Sequence, residues 1–320
     1  MMKRLAICLL GWIMAAPLAQ ANADYPSRPI RLIVPFPAGS TTDAMARFLG
    51  ERVARTLGQS VIVENKAGAQ GSIAAAEVSR AAPDGYSLLV GTNSTQAANI
   101  HLFKSLPYDP RKDFSAITQF SINPLVLVAR PDLPVKNLRE FIAYAKARPG
   151  ELNYGTGNSG SLAAVQMLKT MTGIDALDIP YAGTPQAITD LLAGRLDFMI
   201  TDISVTRAYI ETGKLRALGV TTVDPVASLP GVPPLTQAGL PGYEFVAWGG
   251  LFAPASTPAP IVALLNKVFT QELRSSEAQE FFAKQGQQSA PRSSQDFSNY
   301  VADQTVVWGE LLTQAGKEKQ

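Results

Sequence analysis

The stretch Val34-Pro35-Phe36-Pro37-Ala38-Gly39-Ser40-Thr41-Thr42-Asp43 joins two segments of different periodicity. Before it, Ile30-Arg31-Leu32-Ile33-Val34 is a short apolar run of strand type. After it, Ala44, Met45, Phe48, Leu49, Val53 and Leu57 recur at three- and four-residue steps, as on one helix face. Between them the prolines direct the chain, Gly39 permits positive φ, and Ser40, Thr41 or Thr42 can cap a helix. A strand–turn–helix of this kind aims backbone N–H groups and the positive end of a helix dipole at one point, which makes an anion site. A second such element, Tyr154-Gly155-Thr156-Gly157-Asn158-Ser159-Gly160-Ser161, opens another helix further along. The two loops are expected to close around a small carboxylate.

Working outward, strand-like and helix-like segments alternate on both sides of these loops. Val61-Ile62-Val63 leads into the glycine-rich turn from Asn65 to Ser72, and Tyr86-Ser87-Leu88-Leu89-Val90 into Gly91-Thr92-Asn93-Ser94-Thr95. Alternating β and α units of this length argue for mostly parallel sheets, which bind ligands at the carboxyl ends of their strands. A change falls near Ser121-Ile122-Asn123-Pro124, before an expected strand from Leu125 to Ala129. A second alternating series then runs through Leu152–Tyr154, Leu177–Ile179, Asp197–Thr201 and Leu215–Val220. Five prolines between Pro225 and Pro241 make a stiff connector before a strand from Phe245 to Phe252 and a helical C-terminal region. The expected fold class is α/β: two lobes, each a mostly parallel sheet flanked by helices, with the second inserted in the first. Lobe 1 is assigned 24–122 and 247–320, lobe 2 123–246, with the ligand cleft between them.

The 320 residues suffice for one or two domains with real cores. Lys3 and Arg4 precede an apolar run from Leu5 to Leu18, and Ala21-Asn22-Ala23 offers a cleavage site, so 1–23 is expected to be a cleaved signal peptide. The run is shorter than the ~20 residues a membrane-spanning helix needs. Its removal leaves 26 basic residues against 26 acidic ones, and no basic field to hold nucleic acid. It also removes Cys8, the sole cysteine, and with it disulfides, thiol chemistry and thiolate metal sites.

Catalytic groups are scarce. Serine catalysis needs a base, and the one histidine, His101, sits in an expected loop beside Leu102 and Phe103, where a structural role is favoured. No closely spaced acid set suggests a metal, so no metal and no cofactor is expected. Gly155-Thr156-Gly157-Asn158-Ser159-Gly160 does match G-x-G-x-x-G, with Asp175 about 20 residues on. A dinucleotide-dependent enzyme using 155–160 is therefore the alternative, although the preceding strand Leu152-Asn153-Tyr154 lacks the buried apolar run such folds use. Asp202 lies at a strand end, either to accept from a ligand or to cap a helix from Ser204; Asp43 reaches a ligand through water or completes a helix cap. Trp248, near a crossing segment, is packing or pocket wall.

Several segments in order carry a family resemblance: Tyr25-Pro26-Ser27-Arg28-Pro29-Ile30, Val34 through Asp43, and Val63-Glu64-Asn65-Lys66-Ala67-Gly68-Ala69-Gln70-Gly71. Leu106-Pro107-Tyr108-Asp109-Pro110, Ile179-Pro180-Tyr181, Gly213-Lys214-Leu215-Arg216-Ala217-Leu218 and Gly239-Leu240-Pro241-Gly242-Tyr243 continue it. The chain resembles the substrate-binding proteins of tripartite tricarboxylate transporters, the Bug family. The resemblance implies a monomeric, hinge-closing periplasmic receptor of the Venus-flytrap type, not an enzyme, with membrane permease subunits as partners. A carboxylate sensor without a permease is the variant reading. It also implies a carboxylate held by backbone amides of two loops, one containing Phe36, Pro37, Gly39, Ser40, Thr41, Thr42 and Asp43, the other Thr156, Asn158, Ser159, Gly160 and Ser161. Gln70, Thr92 and Asn93 from lobe 1, and Tyr181 and Asp202 from lobe 2, would set what lies beyond it. Three departures stand out: Ala38-Gly39-Ser40 where relatives often have a glycine pair, Leu162 where many have histidine, and Ala182 where a lysine or arginine is frequent. They make the expected pocket less polar and favour an aromatic or aliphatic mono- or dicarboxylate over a tricarboxylate.

Overall fold

A computed structural model describes residues 25–314 and Lys319; the signal-peptide expectation lies outside the described residues. Strand β1 (Ile30–Val34) enters the core almost whole. Helix α1 (Thr41–Leu57) begins where Ser40 accepts from the Asp43 N–H and ends at Gly58 in the left-handed region, φ 64°. It buries Met45, Leu49 and Val53 against β1 and α8 (Ala259–Leu273), each such side chain contributing ~1.5–3 kcal/mol. Strands β2 (Val61–Asn65) and β3 (Ser87–Thr92) flank β1 in parallel, with α2 (Ser72–Ser79) between them in the chain.

The sheet order is β2-β1-β3-β9-β4-β7-β5-β6, where β4 is Phe114–Ala129, β5 Leu152–Thr156, β6 Ala176–Pro180, β7 Phe198–Asp202 and β9 Val246–Pro254. Its outer strands are parallel, as expected, but β9 and β4 in the middle run antiparallel to their neighbours. Strand β4 continues from its pairing with β9 into its pairing with β7, and so links the two halves of the sheet.

Strand β4 is far longer than the expected Leu125–Ala129. From Phe114 to Pro124 it pairs with β9; from Leu125 it pairs with β7 on one side and β8 (Arg216–Val220) on the other. Asn123-Pro124 reads as a breaker in the sequence. In the fold Pro124 stands where the strand exchanges partners, so its missing N–H costs little. His101 also departs from expectation: it lies on the short helix α3 (Asn99–Leu102), not in a loop, and its Nε2 contacts the Thr305 carbonyl oxygen at 2.8 Å. That contact fixes α3 to α10 (Ser294–Gln314) and fits the structural role.

One apolar cluster lies between α1, α8 and the first half of the sheet, and another lies wholly in the second half around Val126, Ile188 and Met199. A third and larger one runs through both, from Ile33 and Leu89 to Tyr154, Phe198 and Trp308. No helix among the described residues is long and apolar enough to cross a membrane.

Candidate functional site

The first rim is the turn from β1 into α1. Gly39 has φ +80°, which a side chain rarely adopts. Asp43 holds the turn: its carboxylate accepts from the Gly39 N–H at 3.0 Å, from Asn65 Nδ2 at 2.9 Å and from Arg47 Nε at 3.2 Å. Its pKa is lowered: although burial opposes the charge, Arg47, Gly39 and Asn65 together outweigh that penalty. Asp43 is thus a scaffold of the loop and does not face the cleft. The Thr41 and Thr42 N–H groups at the helix start have no partner among the described residues, so this terminus retains free donors.

The opposite rim is the turn from β5 into α5 (Ser159–Thr172). Here Asn158 and Ser161 form a reciprocal cap: Asn158 Oδ1 accepts from the Ser161 N–H at 2.9 Å, while Ser161 Oγ accepts from the Asn158 N–H at 3.3 Å and the Gly157 N–H at 3.2 Å. The Ser159 N–H donates to Ser94 Oγ of the first half at 3.2 Å. The sequence suggested a cluster of free amides at this turn; most are instead satisfied, one by a hydroxyl from across the cleft. The same geometry tells against the dinucleotide reading of 155–160. A pyrophosphate needs those amides, and the turn is covered: an added Cβ at Gly157 would lie 2.3 Å from the Thr184 backbone nitrogen.

Between the rims lies a small cavity of about 20 Å³. Of the residues expected to bind, Phe36, Thr42, Thr92, Asn93, Asn158, Ser161 and Asp202 line it. The sequence did not single out Ser94, Asn123, Leu125, Thr201 or Ala247, which also line it. Trp248 is both packing and wall: its ring meets Phe297 and Tyr300 edge-on at 5.9 and 5.6 Å, its Nε1 donates to Gln304, and it borders the cavity. Asn123 Oδ1 and Thr201 Oγ1 are buried there without a partner among the described residues. Such orphaned polar atoms are rare in native folds and mark positions where a ligand or water completes the bonding.

Other expected residues are nearby with their polar groups already engaged. Tyr181 donates its hydroxyl to Asp190 at 2.8 Å, and burial first, then Asp190, pushes its pKa up to about 12. Thr156 donates to Asp178 at 2.8 Å. Gln70 stands at φ 53° beside Ala69 at φ 46°, two strained positions at the rim, and its carbonyl accepts from Asn99. Gly160 approaches Asn93, where an added Cβ would be 3.2 Å from Nδ2. Pro37 touches Gly183 from the second half, where an added Cβ would meet Pro37 Cδ at 2.4 Å. Thr41 and Ser204 also meet across the cleft, Oγ to Oγ at 2.7 Å. Ser40 is occupied as the cap of α1.

Among the described residues, Asp202 is the only ionisable side chain lining the cavity. It precedes α7 (Ile203–Glu211) but makes no capping bond, which removes the cap alternative. It keeps some surface toward the cleft and is otherwise packed round by protein. Loss of solvation raises its pKa to about 6, against a smaller opposing effect of a hydrogen bond from Thr41. An anion held here must therefore be met by N–H dipoles, hydroxyls and amides, since no Lys or Arg lines the cavity among the described residues. No group of three or more potential metal-ligating side chains occurs among the described residues.

Two α/β lobes meeting over such a cavity define the class of two-lobed solute-binding receptors. Comparison with known proteins narrows this. The family described as "Tripartite tricarboxylate transporter family receptor" matches residues 45–317, and the chain belongs to it. It is 34% identical over 320 residues to Protein BugT of Bordetella pertussis, covering 99% of this chain and 98% of that one. It superposes on R. palustris Rpa4515 with adipate at a TM-score of 0.91, with 33% identity, covering 93% of this chain and 100% of that one. MatC from Rhodopseudomonas palustris with bound malate gives a TM-score of 0.85 and 34% identity, covering 90% and 100%. The Bug-family resemblance read from the sequence is thereby borne out, and the family is one of receptors rather than enzymes.

Proposed function

We propose that this protein is a periplasmic receptor that captures a small mono- or dicarboxylate between its lobes and delivers it to the membrane subunits of a tripartite tricarboxylate-type transporter. The observation that carries the reading is a cavity between two helix starts, bordered by the unpartnered Thr201 hydroxyl, which can donate to a carboxylate, and lined by no Lys or Arg among the described residues. Relatives with adipate and malate support the ligand class. We assign lobe 1 to 24–122 and 247–320 and lobe 2 to 123–246, a division supported by the change of β4's partners at Pro124 and Leu125. The protein acts as a monomer, exported after removal of 1–23.

In this reading the lobes part to admit the ligand, because the present cavity is too small for one. A carboxylate then takes the free N–H groups of Thr41 and Thr42 and displaces the Ser94 hydroxyl from the Ser159 N–H. Each charge-assisted hydrogen bond contributes ~1.5–3 kcal/mol, and micromolar affinity needs about 8 kcal/mol. A few such bonds plus enclosure of the ligand body suffice. Asp202 disfavours a second carboxylate beside it unless that end is protonated or carries a hydroxyl, so a hydroxy- or half-protonated diacid is preferred.

Isothermal titration with malate, adipate and their diamides tests this. Saturable binding of a diacid that its diamide does not reproduce is the expected result. Equal binding of diacid and diamide, or no binding of any carboxylate in a broader panel, would overturn it.

A further inference from the structure

A second cavity lies behind the first. It measures about 540 Å³, within the ~300–1,000 Å³ range of small-molecule sites. Successive side chains of β4 point to opposite faces, so Ile122 and Pro124 border this cavity while Asn123 and Leu125 border the cleft. Its walls come from both halves of the molecule. The segment Thr222–Ser228 follows β8 in the second half; Gly286 and Gln287 join α9 (Ser276–Lys284) to β10 (Gln288–Ser289), which pairs with β4 in the first. The halves touch at Gly286, whose φ of +71° and bare Cα let Ile203 and Ser228 approach to within 2.7 Å of where a Cβ would stand.

The chemistry of this cavity differs from that of the cleft. Asp224 and Glu244 are exposed on its rim; among the described residues, neither has an ion-pair or hydrogen-bond partner for its carboxylate, and no Lys or Arg lines the cavity. Gln287, 5% exposed, borders it with an amide whose nitrogen and oxygen are both unpartnered, and Ser228 Oγ is unpartnered as well. Ile122, Pro124, Val226 and Val246 supply an apolar floor. The Gln287 amide and Ser228 hydroxyl are shut behind the wall, so the accessible chemistry is two uncompensated carboxylates over an apolar floor, which suits a cation with a hydrophobic body.

We propose that this hinge-side cavity binds a small organic cation, a protonated amine with an apolar body, and that its occupation favours closure of the cleft on the opposite face. The direction follows from the geometry. Rotating the halves about the crossing strands so that the cleft narrows widens the space behind, and a molecule lodged there holds it wide. A ligand shifts such an equilibrium only by its preference for one state, and a bulky occupant has one here.

The chain from residue 24 onward lacks cysteine, so labels can be placed at will. Glu51→Cys on α1 and Lys146→Cys on α4 (Leu138–Lys146) put two spin labels on exposed positions of opposite halves. Cyclohexylamine is titrated calorimetrically with cyclohexanol as its neutral counterpart, and the interlabel distance is measured with each. The expected result is saturable amine binding, at least tenfold weaker for the alcohol. It is lost in the Asp224→Asn/Glu244→Gln variant, and the bound amine shortens the mean distance. Absence of saturable binding, equal binding of the alcohol, or binding that survives the double variant overturns the site. An unchanged or longer distance with amine bound overturns the coupling. None of these readouts requires a carboxylate, so failure here is distinguishable from failure of the receptor reading.

Discussion

Thr201 and Asp202 stand side by side at the end of β7 and lead to opposite expectations. Thr201 Oγ1 has no partner among the described residues, so Thr201→Val removes no bond among them. Its melting temperature should match or exceed that of the parent, while affinity for the bound diacid drops roughly tenfold, the loss of one ~1–1.5 kcal/mol hydrogen bond. Differential scanning fluorimetry and calorimetric titration read the two together. At Asp202 the folded pKa is raised to about 6 from the ordinary 3.8, so the folded state holds its proton more tightly than the unfolded one. The resulting penalty is absent below pH 3.8, grows between 3.8 and 6, and persists above. Asp202→Asn should therefore raise the melting temperature at pH 7.5 and leave it nearly unchanged at pH 3.5. Diacid binding by the parent should weaken as pH rises through 6. Equal shifts at both pH values would remove Asp202's burial as the cause. Asp202 was readable from sequence as a residue that follows a strand; Thr201, read as that strand's last residue, was not. Nor was its lack of a partner readable, because that depends on what β4 places opposite.

At the scale of elements, the two β–α turns were legible because glycine, proline and capping residues leave local marks. Their division of labour was not. Asp43 reads as reaching a ligand through water or completing a helix cap; in the fold it locks the turn through Gly39, Asn65 and Arg47, and the part played by Asn65 on β2 is visible only once the two are placed side by side. Asp43→Ala leaves the Asn65 amide and the Gly39 N–H without that acceptor and should cost about 1–3 kcal/mol, a melting shift of several degrees. Pro37 of the first rim lies against Gly183 of the second half. Gly183 has φ −178°, extended backbone open to any residue, so Gly183→Ala adds only a methyl where Pro37 lies. That methyl should keep the rims apart and weaken diacid binding at least tenfold with little change in stability; unchanged affinity would mean that the rims do not need to meet. Strand β4 escaped the sequence reading in its first half, because proline and asparagine signal a break whether a strand ends or merely changes partners.

At the scale of the whole molecule, the α/β class was legible from alternation and two lobes were its simplest arrangement, whereas the lobe boundaries and the antiparallel crossing strands were not legible from pattern alone. The shared strand also bears on how the protein comes apart. Phe114–Pro124 belongs to one sheet half and Leu125–Ala129 to the other, and the largest apolar cluster spans both. Melting either half alone would leave the other with an open sheet edge and a core cut through, so neither has a stable existence without its neighbour. The heat-absorption profile should thus be a single peak whose calorimetric and van't Hoff enthalpies agree, and a ligand in the cleft should displace that peak as a unit. Two resolved peaks would mean that each half melts as an independent folding unit, with β4 acting only as a tether.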